Sequence, residues 1–282
     1  MKKFVFIFTL AISGITVCAE PVDRVMINSI EIKMKLIPLS KVAPDLPDYY
    51  LSATEVTYSE YQYVKSYAER NLNYRFFSGE WSGTVSKKRM LNPLSTEQEQ
   101  NQPVTNISWY DCVLWCNALS EMAGLMPYYI IDKTILQKHD FLSSYDNTTD
   151  VIVTGVNKGA DGYRLPNYRE WVYVALGNKN DSTLSNKFFG IGSEEEFSLY
   201  ANYNNKDWSV SSSADTTMEV ASKRSNSFGI YDLAGNALEW LDEQYLIGGY
   251  FSSNYEECLG YRHAYPSEIL GFLGFRLAKN PN

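Results

Sequence analysis

Histidine is almost missing from this chain. Its 282 residues include only His139 and His263. A histidine-cluster metal centre has too few ligands available, and a Ser-His-Asp catalytic set is a poor fit. Cysteine is nearly as scarce, with Cys18, Cys112, Cys116 and Cys258. That number cannot staple a chain this long, so a hydrophobic core must hold the fold. Positive charge is also short, with 25 Lys and Arg against 33 Asp and Glu. An acidic balance argues against nucleic acid and anionic membrane as partners. Long apolar runs are absent after the first residues, so no transmembrane segment is expected.

The N-terminus supplies what the rest lacks. Met1-Lys2-Lys3 is a short cationic start, and Phe4 to Val17 is an apolar run too short to span a bilayer. It ends in Val17-Cys18-Ala19, which suits signal-peptidase cleavage before Glu20. Residues 1–19 therefore read as a signal peptide and residues 20–282 as one exported domain. A lipid anchor at Cys18 is the rival reading, against which the bulky Val17 counts. Cleavage leaves three cysteines, an odd number, so at least one thiol is free or intermolecular.

Aromatic residues are abundant: 22 Tyr, 13 Phe and 6 Trp. Such a composition serves β-rich packing or a recognition surface. Ile30 to Ile37 alternates apolar and polar residues, a strand pattern stopped by Pro38. Three helix starts follow. Thr57-Tyr58-Ser59-Glu60 is a capping box, Ser108 to Asp111 is a looser one, and Asn167 to Glu170 uses Asn as the cap. From Trp109 an apolar stripe runs through Cys112, Val113, Cys116, Leu119 and Met122, with Gly124 as its stop. On that face both cysteines read as packing residues. Phe228–Tyr231, Leu246–Phe251 and Gly274–Leu277 read as short strands. Residues 178–227 are polar and unpatterned, a loop long enough to need something that holds it, such as a cation.

Five segments in order resemble the formylglycine-generating-enzyme family, also called the sulfatase-modifying-factor domain. They are Ala53-Thr54-Glu55-Val56-Thr57 with Tyr61; Pro103 to Trp109 with Cys116-Asn117-Ala118-Leu119-Ser120; Gly162-Tyr163-Arg164-Leu165-Pro166 with Glu170-Trp171; Asn226 to Asn236 with Glu239-Trp240; and Gly248-Gly249 with Gly274-Phe275-Arg276. They span about residues 28–279. The resemblance implies an α+β domain with an irregular C-type-lectin-like fold: few short helices, short antiparallel strands and long loops. The family's opening Gly-rich turn is replaced here by Pro38-Leu39-Ser40-Lys41.

The chemistry follows in two parts. Asp232 and Glu239 place hard oxygens around a tight turn containing Gly235, a pattern that suits calcium or simply a turn with two solvated acids. The resemblance implies calcium held by Asp232, Gly235, Ala237 and Glu239, with a second site at Asn202, Tyr203 and Asp215. Catalytic members use two C-terminal cysteines that bind Cu(I) and oxidise a substrate cysteine. Alignment on Gly248-Gly249 puts Ser253 at the first of these positions and Cys258 at the second. A hydroxyl cannot replace a thiolate towards a soft ion. The expectation is therefore a non-catalytic binding or display protein. The alternative is a copper-dependent oxidase acting through Cys258 on a sulfatase or another protein.

The ligand surface is expected over Tyr250, Phe251, Ser253, Tyr255, Tyr261, Arg262, His263 and Tyr265, binding a protein or a small molecule. This stretch is also similar to the variable region of retroelement-diversified display proteins. Core packing by the same aromatics is the competing reading.

Overall fold

A computed structural model describes residues 24–27, 30–41, 43–82, 97–133, 153–176, 194–204, 216–258 and 260–281. The expected signal peptide at residues 1–19, His139, Asp215 and much of the polar stretch 178–227 lie outside the described residues.

The elements run β1 (Arg24–Ile27), β2 (Ile30–Ile37), β3 (Tyr49–Ser52), α1 (Tyr58–Asn71), β4 (Trp81–Ser82), α2 (Glu97–Gln100) and β5 (Val104–Thr105). Then come α3 (Trp109–Met122), β6 (Tyr129–Ile131), β7 (Val153–Val156), β8 (Tyr163–Arg164), α4 (Tyr168–Leu176) and α5 (Glu194–Phe197). The C-terminal part holds β9 (Leu238–Trp240), β10 (Tyr245–Ile247), α6 (Tyr255–Cys258), β11 (Tyr261–His263), β12 (Leu273–Phe275) and β13 (Ala278–Lys279). Two sheets organise the fold, one in the order β1-β2-β3-β13-β8 and the other β11-β10-β9-β12. Every pairing within them is antiparallel except β9 with β12. This is the α+β architecture of short strands and few helices that the sequence suggests.

The three sequence-level helix starts form as their chemistry dictates. Thr57 Oγ1 accepts from the Glu60 N–H at 3.2 Å, and Glu60 Oε2 accepts from the Thr57 N–H at 2.8 Å, a complete capping box for α1. Ser108 Oγ accepts from the Asp111 N–H and opens α3. Asn167 and Glu170 exchange the same pair of bonds at α4. Helix α3 is buried nearly all round, and its Cys112, Cys116, Trp115 and Leu119 enter the main core with Trp240 and Phe275. Burial pushes both α3 thiols well above the usual cysteine range.

Phe228–Tyr231 is a turn rather than the expected strand. Asn226 Oδ1 accepts from the N–H groups of Phe228 and Ile230 and folds the backbone on itself. Likewise β10 stops at Ile247 instead of reaching Phe251, because Gly248 and Gly249 take φ of +97° and +70°. The C-terminal strand divides at Arg276 into β12 and β13, which join different sheets.

Candidate functional site

The turn from Asp232 to Glu239 surrounds a buried guanidinium. Arg276 Nε and Nη2 donate to both oxygens of Glu239 at 2.6–2.9 Å, and Trp171 Nε1 donates to Glu239 Oε2 at 2.8 Å. Asp232 Oδ2 accepts from the Ala221 N–H at 2.6 Å. Glu55 sits beneath the turn and accepts from Asn236 Nδ2 at 2.6 Å and the Ala237 N–H at 2.9 Å. Burial, reinforced by the charges of Asp232 and Glu239, holds the Glu55 carboxyl well above the usual range. Asp232 is raised to about 6, chiefly by burial. Gly235 lies so close to Asn202 that a Cβ would sit 2.0 Å from its carbonyl oxygen, so only glycine fits there.

The expected calcium ligands Asp232, Gly235, Ala237 and Glu239 are thus brought together, but Glu239 is engaged by Arg276 and Trp171. The donor set for calcium is incomplete as arranged. Among the described residues no group of three or more His, Cys, Asp and Glu is placed to hold a metal ion. At the second expected calcium site, Asn202 pairs its backbone with Gly235, and its Nδ2 donates to Thr216 O and Asn236 Oδ1. Tyr203 packs edge-on against Phe197 at 5.0 Å.

The copper site is tested by its own donor atoms. Cys258 is fully buried at the end of α6, and burial pushes its thiol up to about 12. A Cβ on Gly249 would fall 2.8 Å from Cys258 Sγ, so the thiol is walled in by backbone. Ser253 is buried too, its Oγ accepting from the Tyr250 N–H at 3.2 Å. The other described thiols are in α3, in a different hydrophobic cluster from Cys258. One buried thiol, with a hydrogen-bonded hydroxyl at the other expected position, does not fit Cu(I).

The expected ligand surface separates into two halves. Tyr250, Phe251, Ser253 and Tyr255 turn inward. Tyr250 stacks on Phe272 at 4.0 Å, Phe251 is buried against it, and Tyr255 packs edge-on against Phe197 at 4.8 Å. Tyr250 packs against the main core, Tyr255 against the second cluster, and Ser253 braces the loop. Tyr261, Arg262, His263 and Tyr265 remain exposed, Tyr261 at 55% and Tyr265 at 65%. Arg262 is paired with Glu268.

Around Tyr261 the structure supplies residues that sequence reasoning missed. Tyr261 contacts Tyr168 at 4.8 Å and Tyr245 at 5.5 Å between ring centroids, and Tyr245 meets His263 at 5.5 Å. Tyr168, Tyr245 and Tyr261 line a cavity of about 510 Å³ with Leu46, Asn167, Arg169 and Glu243. A second cavity of about 230 Å³ shares Leu46, Asn167 and Arg169 and is floored by the buried Arg164–Glu170 pair. The missed residues come from the loop before β3, the start of α4, the β9–β10 turn and the first residue of β10. Their one local signal is the Asn cap that exposes the Tyr168-Arg169 dipeptide at a helix entry.

Comparison with known proteins agrees with this architecture. Residues 26–281 match the model of the sulfatase-modifying factor enzyme 1-like domain. A curated relative, chaperone protein LppX of Paenibacillus barcinonensis, is 28% identical over 253 residues, covering 85% of this chain and 80% of that one. Among solved structures, CarF superposes with a TM-score of 0.65 at 27% identity, covering 84% of this chain and 88% of its own. Treponema denticola variable protein 1 gives 0.66 at 25% identity over 93% of this chain and all of its own. With nearly its whole described length matched, the chain belongs to the sulfatase-modifying factor enzyme 1-like family.

Proposed function

We propose that this chain is an exported, non-catalytic binding protein that presents a ligand surface on the family scaffold. The observation that carries the proposal is the thiol count at the C-terminal loop. Oxidase chemistry of the family type needs two thiolates on a soft ion. Here Ser253 fills one position and is hydrogen bonded to its own loop. Cys258 fills the other and is held protonated by burial. The surface left for function is the exposed half of the tyrosine-rich segment and the cavity beside it. Tyr and Arg in such a setting favour recognition of a protein or small molecule over bond-making chemistry. Resemblance to a chaperone and to a variable protein supports a binding role. The apolar N-terminal run supports export.

Copper titration under reducing conditions tests the proposal. The purified mature chain is expected to show no tight one-to-one Cu(I) complex against a competing chelator. A stoichiometric complex that Cys258→Ser abolishes would return the chain to the oxidases.

A further inference from the structure

Strand β11 is an open edge. Its sheet runs β11-β10-β9-β12, so among the described residues β11 has a partner on one side only. The register pairs Tyr245 with His263, Leu246 with Arg262 and Ile247 with Tyr261, and the Ala264 N–H donates to Gln244 O. Antiparallel ladders alternate, so Arg262 and Ala264 turn their backbone groups toward β10, while Tyr261 and His263 turn theirs outward. Among the described residues nothing pairs with those outward N–H and C=O groups. All three β11 side chains are exposed. Edges of this kind are usually covered, twisted away or charged, because they invite another strand.

The same strand borders the tyrosine cavity. Tyr245, Tyr261 and His263 stand on one face of the β10–β11 ribbon, and the face closes against the start of α4 at Tyr168. Arg169 lies beside Tyr168, is exposed, and forms no ion pair among the described residues. It borders both cavities. The edge thus offers main-chain hydrogen bonds, the cavity offers room and aromatic surface for one large side chain, and Arg169 offers a positive charge without an ion pair among the described residues, although Glu243 lines the same cavity.

We propose that β11 accepts an extended segment of a partner protein as a fifth strand of this sheet. The segment lays an apolar or aromatic side chain over Tyr168, Tyr245 and Tyr261 and sets a carboxylate against Arg169. Strand addition lets the backbone supply affinity while the pocket supplies selectivity. The proposal rests on the binding-protein reading above and narrows it to a protein ligand and a defined edge.

A displayed library of random linear peptides, each of roughly ten residues, is the probe, selected against the purified mature chain. A bound segment of that length spans the edge and the cavity mouth at the usual strand rise. Enriched peptides are expected to alternate apolar and polar residues and to carry an Asp or Glu. Synthetic copies should lose affinity about tenfold or more on Tyr261→Ala and on Arg169→Glu. They should also fail once N-methylation removes the backbone donors facing the edge. Both substituted side chains are exposed, so melting temperatures near that of the parent chain will show that the fold is intact. Peptides that bind equally well to both variants, or after N-methylation, overturn the strand proposal and leave the wider binding reading standing. Selection without enrichment also overturns it. The wider reading is then decided by the copper titration, which does not depend on this edge.

Discussion

Glu239 and Arg276 show what a single buried charge does in this fold. Glu239 lies in the Gly-Asn-Ala-Leu-Glu-Trp stretch, where the sequence suggests a metal ligand. In three dimensions it is the counter-ion of an arginine that is itself fully buried. Each charge is tolerable in the core only because the other is present. Removing one partner should therefore cost more than removing both. Arg276→Met alone is expected to lower unfolding free energy by about 3–5 kcal/mol, because it strands Glu239 beside Glu55 and Asp232. Adding Glu239→Gln to Arg276→Met should recover part of that loss. Urea unfolding of the two variants checks the prediction. A double variant no more stable than the single one would mean that the pair is not what balances the charge.

Elements were readable in the chain to different degrees, and the reasons are local. Helices α1, α3 and α4 announce themselves through side chains that satisfy backbone N–H groups within three residues, so their starts depend on nothing distant. Strand β2 is legible because alternation over eight residues is long enough to be seen. The C-terminal strands have two or three residues each, too few to show a period. Their ends are set by Gly248, Gly249 and the path of Arg276, all tertiary facts. The candidate site suffered for the same reason. Tyr261, Arg262, His263 and Tyr265 are legible as candidates because they lie in one aromatic segment. Tyr168 and Arg169 lie more than ninety residues upstream of Tyr261, and only the packing of α4 against β10–β11 brings them together. The capping chemistry gives the prediction at this scale. Thr57→Ala deletes the side-chain acceptor that opens α1 and is expected to cost about 1 kcal/mol. Thr57→Ser keeps that acceptor and should cost clearly less. Equal losses for the two in thermal melts would show that the methyl group, not the cap, is what matters.

At the scale of the whole molecule the buried acids act together. Glu55, Asp111, Asp232 and Asp242 are all pushed above the ordinary carboxylate range, in each case chiefly by burial. Glu60 is raised in the same way to about 7. A carboxyl whose value rises on folding favours the protonated native state. Its stabilising contribution is complete below the ordinary carboxylate value of about 4 and disappears as pH climbs through the folded value. For Asp232 and Glu60 that window closes between about 6 and about 7. The acidic surface adds self-repulsion in the same direction as the remaining carboxylates ionise. Asp48 opposes the trend only at the acid end, because its bonds from Ser40 hold its carboxyl below the usual range. The melting temperature at constant ionic strength should therefore be higher near pH 5 than at pH 7.5. Asp232→Asn should flatten part of that slope. The left-handed backbone at this position, φ +55°, suits Asn, and its amide oxygen can still accept from the Ala221 N–H. A melting temperature that instead rises from pH 5 to 7.5 would mean that the buried acids are ionised and compensated in the native state, and the accounting of charge around Arg276 would have to be reversed.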